Sequence, residues 1–107
     1  GLKTHIETSG AYQLSGHWNW VCLSPKKTKL PLAEIYPHAD ELKMIIHNAD
    51  DFLFAEQEAA KVSEKCKLYL QPEWSKKEKM VPQIIEYAMK NPQWQISIQT
   101  HKYLNIP

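Results

Sequence analysis

Apolar residues fall in short runs along the chain, and each run is closed by polar, chemically capable residues: Ile6-Glu7-Thr8, Cys22-Leu23-Ser24-Pro25-Lys26, Ile45-Ile46-His47-Asn48, Tyr69-Leu70-Gln71-Pro72 and Ile98-Gln99-Thr100-His101-Lys102. Runs of this length, bounded by turn formers, read as strands. Residues 3–8 alternate in character and carry the β-branched Thr4, Ile6 and Thr8, with Ser9-Gly10 as the break. Residues 18–23 are apolar enough to predict burial on both faces, and Pro25 ends them. Residues 42–46, 67–71 and 94–100 supply three further strands.

Between strands the period lengthens. Pro31 suits the first turn of a short helix over 32–36. Phe52, Ala55, Ala59 and Val62 recur at helical spacing, which predicts a helix over 51–65 with Asp50 as its N-cap. Ser75-Lys76-Lys77-Glu78 matches a capping box opening a helix with Met80, Ile84, Tyr87 and Ala88 on one face. Pro82 falls inside that helix, so it either bends there or begins its regular part nearer Val81.

From residue 42 onward the order strand, helix, strand, helix, strand with short links predicts right-handed βαβ units, and hence an α/β fold with a mainly parallel sheet. Carboxyl ends of parallel strands converge where open sheets and barrels bind their ligands. Ser24, Lys26, His47, Gln71 and His101 are therefore expected on one face, around one pocket, with helices on the other side.

The length of 107 residues fits a single domain over 1–107. With 13 basic and 12 acidic residues the net charge is +1, so no global field draws the chain to nucleic acid or membrane. Every basic residue is Lys, and the lack of Arg removes the usual bidentate clamp for phosphate or guanine. Cys22 and Cys66 have no CxxC partner and no leader precedes them, which predicts a cytoplasmic protein. No apolar stretch reaches the length of about 20 residues that spans a bilayer. Gly at position 1 points to a tag remnant or a chain that starts inside a larger protein.

Ser24-Pro25-Lys26 sets a hydroxyl and an ammonium on either side of a rigid Pro; this suits a carboxylate or ribose oxygen, and equally a turn with a solvated Lys. Gln71 can donate and accept toward an adenine edge or an amino acid. His47 and His101, at strand ends, suit hydrogen bonding or proton transfer. The five histidines show neither HxH nor HExxH spacing, so no metal site is expected. Trp74 follows Gln71 out of the sheet and can wall a planar ligand, whereas Trp18, Trp20 and Trp94 read as packing residues and Cys22 as a small buried one.

Taken in order, HIETSG, LSPK, ELKMII, LQPEW and the terminal ISIQTHKYLNIP resemble the carboxyl-terminal half of the 7-carboxy-7-deazaguanine synthase family, within the radical S-adenosylmethionine superfamily. The match covers essentially the whole chain. It implies a partial (β/α) barrel, TIM-like, in which a [4Fe-4S] cluster reductively cleaves S-adenosylmethionine. It also implies a magnesium-assisted lyase reaction on 6-carboxy-5,6,7,8-tetrahydropterin, contracting the ring and releasing ammonia for queuosine synthesis. By the same resemblance Ser24, Pro25 and Lys26, together with Gln71, Pro72, Glu73 and Trp74, contact S-adenosylmethionine, and Glu7 joins the cofactor pocket. His101 and the carboxylate of Pro107 become substrate contacts.

The family's cluster-binding cysteine motif and its GGEP segment precede the matching part, and neither occurs here. The isolated chain is thus expected to be an inactive part of the enzyme, without cluster ligands. A flavodoxin-type electron donor and a homodimer are the expected partners. A half barrel would leave an unpaired sheet edge and uncovered Val21, Leu23, Ile45 and Ile98, which favours self-association. Two alternatives are an activating enzyme of the same superfamily that installs a glycyl radical, often labelled an organic radical activating enzyme, and a small non-catalytic α/β binding domain. The tail QTHKYLNIP suits a small buried substrate better than a polypeptide one.

Overall fold

Side chains of a strand point alternately to its two faces, so the sequence of each strand decides which side of a sheet can be packed. In the computed structural model, which describes residues 5–13 and 18–97, this rule holds across five parallel strands: β1 (His5–Thr8), β2 (Trp20–Leu23), β3 (Glu41–Ile46), β4 (Lys67–Pro72) and β5 (Trp94–Ile96). Their spatial order is their order in the chain. The register aligns Thr8, Leu23, Leu42, Leu68 and Trp94 in one row, and Glu7, Cys22, Glu41 and Lys67 in the adjacent row on the opposite face. One face of the sheet is therefore apolar and the other polar.

Helices α1 (Asp50–Ala59) and α2 (Lys77–Lys90) cross over the apolar face. Leu42, Met44, Ile46 and Leu70 from the sheet meet Ala55, Met80 and Ile84 from the helices, all at 0–1% exposure. Burying such a side chain is worth about 1.5–3 kcal/mol for each large aliphatic residue. Polar ties fix the layers laterally. The Glu56 carboxylate of α1 accepts from Trp94 Nε1 at 3.0 Å and from the Tyr87 hydroxyl, while the Phe52 and Tyr87 rings stack at 4.4 Å. Glu58, buried, takes hydrogen bonds from the Tyr36 hydroxyl and the Lys61 ammonium, each at 2.7 Å.

Several boundaries differ from the sequence expectation, each for a local reason. The segment over 32–36 forms turns leading to a single 3-10 turn, Tyr36–His38, with Pro at its start. Helix α1 begins at Asp50 rather than being capped by it. Ala49 is the N-cap without a side-chain bond, and Asn48 Oδ1 accepts from Asp50 N at 3.0 Å. It stops at Ala59, and the turn closed by Cys66 N and Ser63 O returns the chain to β4. The capping box does not form, because Glu73 takes the Ser75 N–H and hydroxyl and caps a 3-10 turn, Trp74–Lys76, ahead of α2. Helix α2 is assigned as one helix through Pro82, its sixth residue, where the missing N–H removes the backbone bond to Glu78 O.

Strand β2 starts at Trp20, which is 36% exposed, and is buried on both faces from there on, with Val21 and Leu23 on one side and Cys22 on the other. Val21 and Leu23, expected to be uncovered, are buried at 4% and 0%. Pairing of β5 continues past Ile96, since Ser97 N donates to Leu70 O at 2.8 Å. Gly10 has φ +74°, and a Cβ there would stand 2.7 Å from Leu23 Cδ1 and 2.8 Å from Pro31 Cβ. Only glycine lets the turn after β1 lie against the turn before the Tyr36 segment.

Candidate functional site

The polar face and the carboxyl ends of the strands meet at one rim. Ser24 N donates to Thr8 O at 2.8 Å, extending the pairing of β1 with β2 by one residue, and Ser24 is buried at 6% exposure. By register its row continues through Lys43, Tyr69 and Gln95. One pleat further along lie Ile45 and Gln71, the latter 4% exposed and accepting from the Ser97 hydroxyl at 3.3 Å. Strands β2 and β4 are separated by β3 alone, so Ser24 and Gln71 project from the same face about 10 Å apart laterally.

Beyond the strand ends the chain supplies charge. Pro25 is buried and turns the backbone, and Lys26 is exposed beside it. Lys29 N closes this turn onto Lys26 O at 3.2 Å. His47, exposed, begins the turn after β3. Pro72 is the last residue of β4, paired with Ile46, and Glu73 N donates to Ile46 O at 2.9 Å. The Glu73 carboxyl is held below its usual value by its hydrogen bond from Ser75 and, more weakly, by the facing His47. Trp74 is 43% exposed and Lys77 Nζ lies 5.0 Å from its ring centroid. Glu7 lies on the polar face and pairs with Lys43 at 2.5 Å.

Ser24, Lys26, His47 and Gln71 thus share the carboxyl rim of a parallel sheet, with both α-helices on the opposite face. Pro25, Pro72, Glu73 and Trp74 stand at the same rim, and Glu7 one row below it. His101 and Pro107 lie outside the described residues, as does Ile98.

Three residues at this site were not singled out by sequence. Lys43 sits mid-face in β3, and the alternation Glu41-Leu42-Lys43-Met44 was the signal that marks it. Asp51 and Lys27 pair across a cavity of about 220 Å³ lined by Lys26, His47 and Phe54. Asp51 reads in sequence as one more acid at a helix start, and nothing local distinguishes it.

Chemically, a hydroxyl, an amide and an ammonium around this rim can grip a polar, partly anionic ligand such as an amino acid or a ribose. They fit the sulfonium cofactor implied by the resemblance. An iron–sulfur cluster is different. Burial, reinforced by Glu41 on the same face, pushes the Cys22 thiol up to about 12, and burial pushes Cys66 up to about 11. Cys22 lies in β2 and Cys66 just before β4, with β3 between them, whereas a cluster takes its thiolates from closely spaced cysteines. The two cysteines do not fit such a cluster, and among the described residues no group of three His, Cys, Asp or Glu could hold a metal ion.

No protein-family model matches the chain. Over 106 residues it is 63% identical to the 7-carboxy-7-deazaguanine synthase of Flavobacterium psychrophilum and 53% identical to that of Synechocystis sp., covering 99% of this chain and 50% of each relative. The synthase of Bordetella pertussis is 32% identical over 108 residues, covering 100% of this chain and 48% of that protein. The crystal structure of QueE from Escherichia coli superposes with a TM-score of 0.82 at 28% identity, over 94% of this chain and 46% of that one. The chain spans about half the length of the curated relatives it matches. In sequence over 99% of its length, and in fold over 94% of it, the chain is therefore similar to the carboxyl-terminal half of 7-carboxy-7-deazaguanine synthase.

Proposed function

We propose that this chain forms the carboxyl-terminal part of a radical S-adenosylmethionine enzyme that makes 7-carboxy-7-deazaguanine for queuosine synthesis, and that its polar rim walls the cofactor. The observation that carries this reading is the pair of buried polar side chains, Ser24 and Gln71, on one face at the ends of β2 and β4. The two segments around them, Ser24-Pro25-Lys26 and Gln71-Pro72-Glu73-Trp74, are those the family resemblance assigns to S-adenosylmethionine. Similarity at up to 63% identity to proteins named for this reaction supports it.

Bound at this rim beside a cluster held elsewhere, S-adenosylmethionine would supply the radical chemistry for the magnesium-assisted carbon–nitrogen lyase reaction on 6-carboxy-5,6,7,8-tetrahydropterin, and Ser24, Lys26, Gln71 and Trp74 would hold it. The residues here bind and orient. The Ser24 hydroxyl donates to a carboxylate oxygen, or exchanges a hydrogen bond with a ribose hydroxyl, and Lys26 adds positive charge beside it. Gln71, its carbonyl oxygen engaged by Ser97, presents its amide nitrogen as a donor. Trp74 offers a flat apolar wall at the end of β4. Glu73 holds the Trp74–Lys76 turn in place through Ser75. His101 and the Pro107 carboxylate are assigned to the pterin by the same resemblance.

The test uses the full-length polypeptide that carries this chain. Ser24→Ala and Gln71→Ala should each weaken S-adenosylmethionine binding by about 3- to 10-fold, the loss of one hydrogen bond of about 0.5–1.5 kcal/mol. Unchanged affinity in both variants would overturn the reading.

A further inference from the structure

We infer that Asp51 is a positioning residue for the cofactor loop: its buried carboxylate fastens the turn after β2, which carries Lys26, to the turn after β3, which carries His47. The inference rests on the reading of Ser24-Pro25-Lys26 as a cofactor wall and adds to it the residue that sets where that wall stands.

Asp51 is in the first turn of α1, at 4% exposure. One carboxylate oxygen, Oδ2, accepts from His47 N at 2.6 Å and from Asn48 N at 3.3 Å, and lies 3.4 Å from His47 Nδ1. The other, Oδ1, forms an ion pair with the Lys27 ammonium. One side chain thus divides its two oxygens between the two loops. Burial by itself would raise the Asp51 pKa, yet the Lys27 hydrogen bond, the backbone N–H of His47 and the Lys27 charge together hold it below its ordinary value. The charged form is what this geometry selects.

The loop depends on that anchor because its other ties lie elsewhere. The bond from Lys29 N to Lys26 O closes the turn upon itself, and Lys29 Nζ reaches the Tyr12 hydroxyl at 3.1 Å on the β1 side. Toward α1, Lys27 supplies the ion pair and lies 5.7 Å from the Phe54 ring centroid. Lys26, Lys27, His47, Asp51 and Phe54 border the same cavity of about 220 Å³, so a shift of the loop would move Lys26 relative to the rim.

Asparagine at position 51 keeps an acceptor for His47 N but turns an N–H₂ group toward the Lys27 ammonium, donor against donor. Methionine at position 27 removes the cation and leaves the buried carboxylate unpaired, which is costly. In the full-length polypeptide, Asp51→Asn and Lys27→Met should each raise the dissociation constant of S-adenosylmethionine about tenfold, while the double variant should show about the same tenfold, because contacting residues are coupled. Glu58→Gln, which alters a buried carboxylate of the same helix bonded to Tyr36 instead, should lower thermal stability and leave the dissociation constant unchanged. Ser24→Ala separates the two levels. Weaker binding in Ser24→Ala with unchanged binding in Asp51→Asn and Lys27→Met overturns the positioning role alone, and unchanged binding in Ser24→Ala as well overturns the cofactor-wall reading beneath it. An additive, hundredfold loss in the double variant would also overturn it, since independent effects are not a shared clamp. Should Asp51→Asn fail to fold, Lys27→Met, altering a half-exposed side chain, decides alone: an unchanged dissociation constant overturns the role.

Discussion

Glu7 and Lys43 meet at 2.5 Å although β2 runs between their strands. Lys43 is 12% exposed and stretches across the Cys22–Ser24 part of β2, while Glu7, 54% exposed, leans in from the edge strand. The pair forms a bridge over Cys22, whose thiol feels burial first, then Glu41, with Lys43 acting in the opposite direction.

Lys43→Met should therefore leave stability nearly unchanged, within about 1 kcal/mol, because its carboxylate partner is half in water. It should push the Cys22 thiol above its already high value of about 12. Alkylation of Cys22 by iodoacetamide, followed by mass spectrometry at mildly alkaline pH, should be slower in the variant. Faster alkylation would mean that Lys43 shields the thiol rather than favouring its ionisation.

The depressed pKa of Asp51 has a definite sign in pH. Its ordinary value is 3.8 and the folded value lies lower, so the folded state favours the carboxylate. That contribution is fully present well above the ordinary value of 3.8 and drains away as pH falls past it and through the folded value. Urea denaturation across that window should show a shallower acid limb in Asp51→Asn than in the parent chain. Parallel acid limbs would mean that other carboxyls account for the whole acid sensitivity.

Two phenols should titrate late. Tyr36 is raised to about 12 by burial and by its bond to Glu58, and Tyr87 is raised to about 12 by burial and by Glu56. A raised pKa means that the folded state keeps the proton, so this stabilisation is complete below the ordinary value of 10.0 and is lost as pH climbs through about 12. Phenolate absorbance should show these two of the five tyrosines resisting ionisation until the alkaline unfolding transition. Glu56→Gln should bring the Tyr87 step to lower pH and leave that of Tyr36 in place.

Strands β1 and β5 each pair on one side only within the described sheet. Open edges recruit partners. Light scattering over a dilution series of the 107-residue chain should show self-association at micromolar concentration and above. A strictly monomeric, cooperatively folded species would mean that the edges are protected within the chain itself.

Much of this architecture is legible in the sequence because parallel βαβ order is a matter of chain order, and the apolar runs at 42–46 and 67–71 are unmistakable. What they conceal is the second face. Trp20-Val21-Cys22-Leu23 reads as uniformly apolar, yet Val21 and Leu23 are buried on the apolar face while Cys22 faces Glu7, Glu41 and Lys43. Ser75-Lys76-Lys77-Glu78 has the letters of a capping box, but Glu73 reaches Ser75 first, and competition between two nearby carboxylates is invisible to a spacing rule. At the site, Ser24 and Gln71 were marked by their places at strand ends. Asp51 was not, since its importance lies in Lys27, 24 positions earlier in the chain, and such long-range pairing leaves no local signature.

The coincidence of spatial and chain order across the sheet bears on biosynthesis. Each strand docks beside the one just made, so no segment has to wait for, or thread past, a later one, and growth proceeds in a single direction away from β1. Paired residues of neighbouring strands stand 15 to 26 positions apart, the span of one crossover connection. The outer flank of β1 then remains available to any strand encoded upstream, which would already be waiting as this half leaves the ribosome. A strand added there would stand beside Glu7, the outer end of the Glu7–Lys43 bridge.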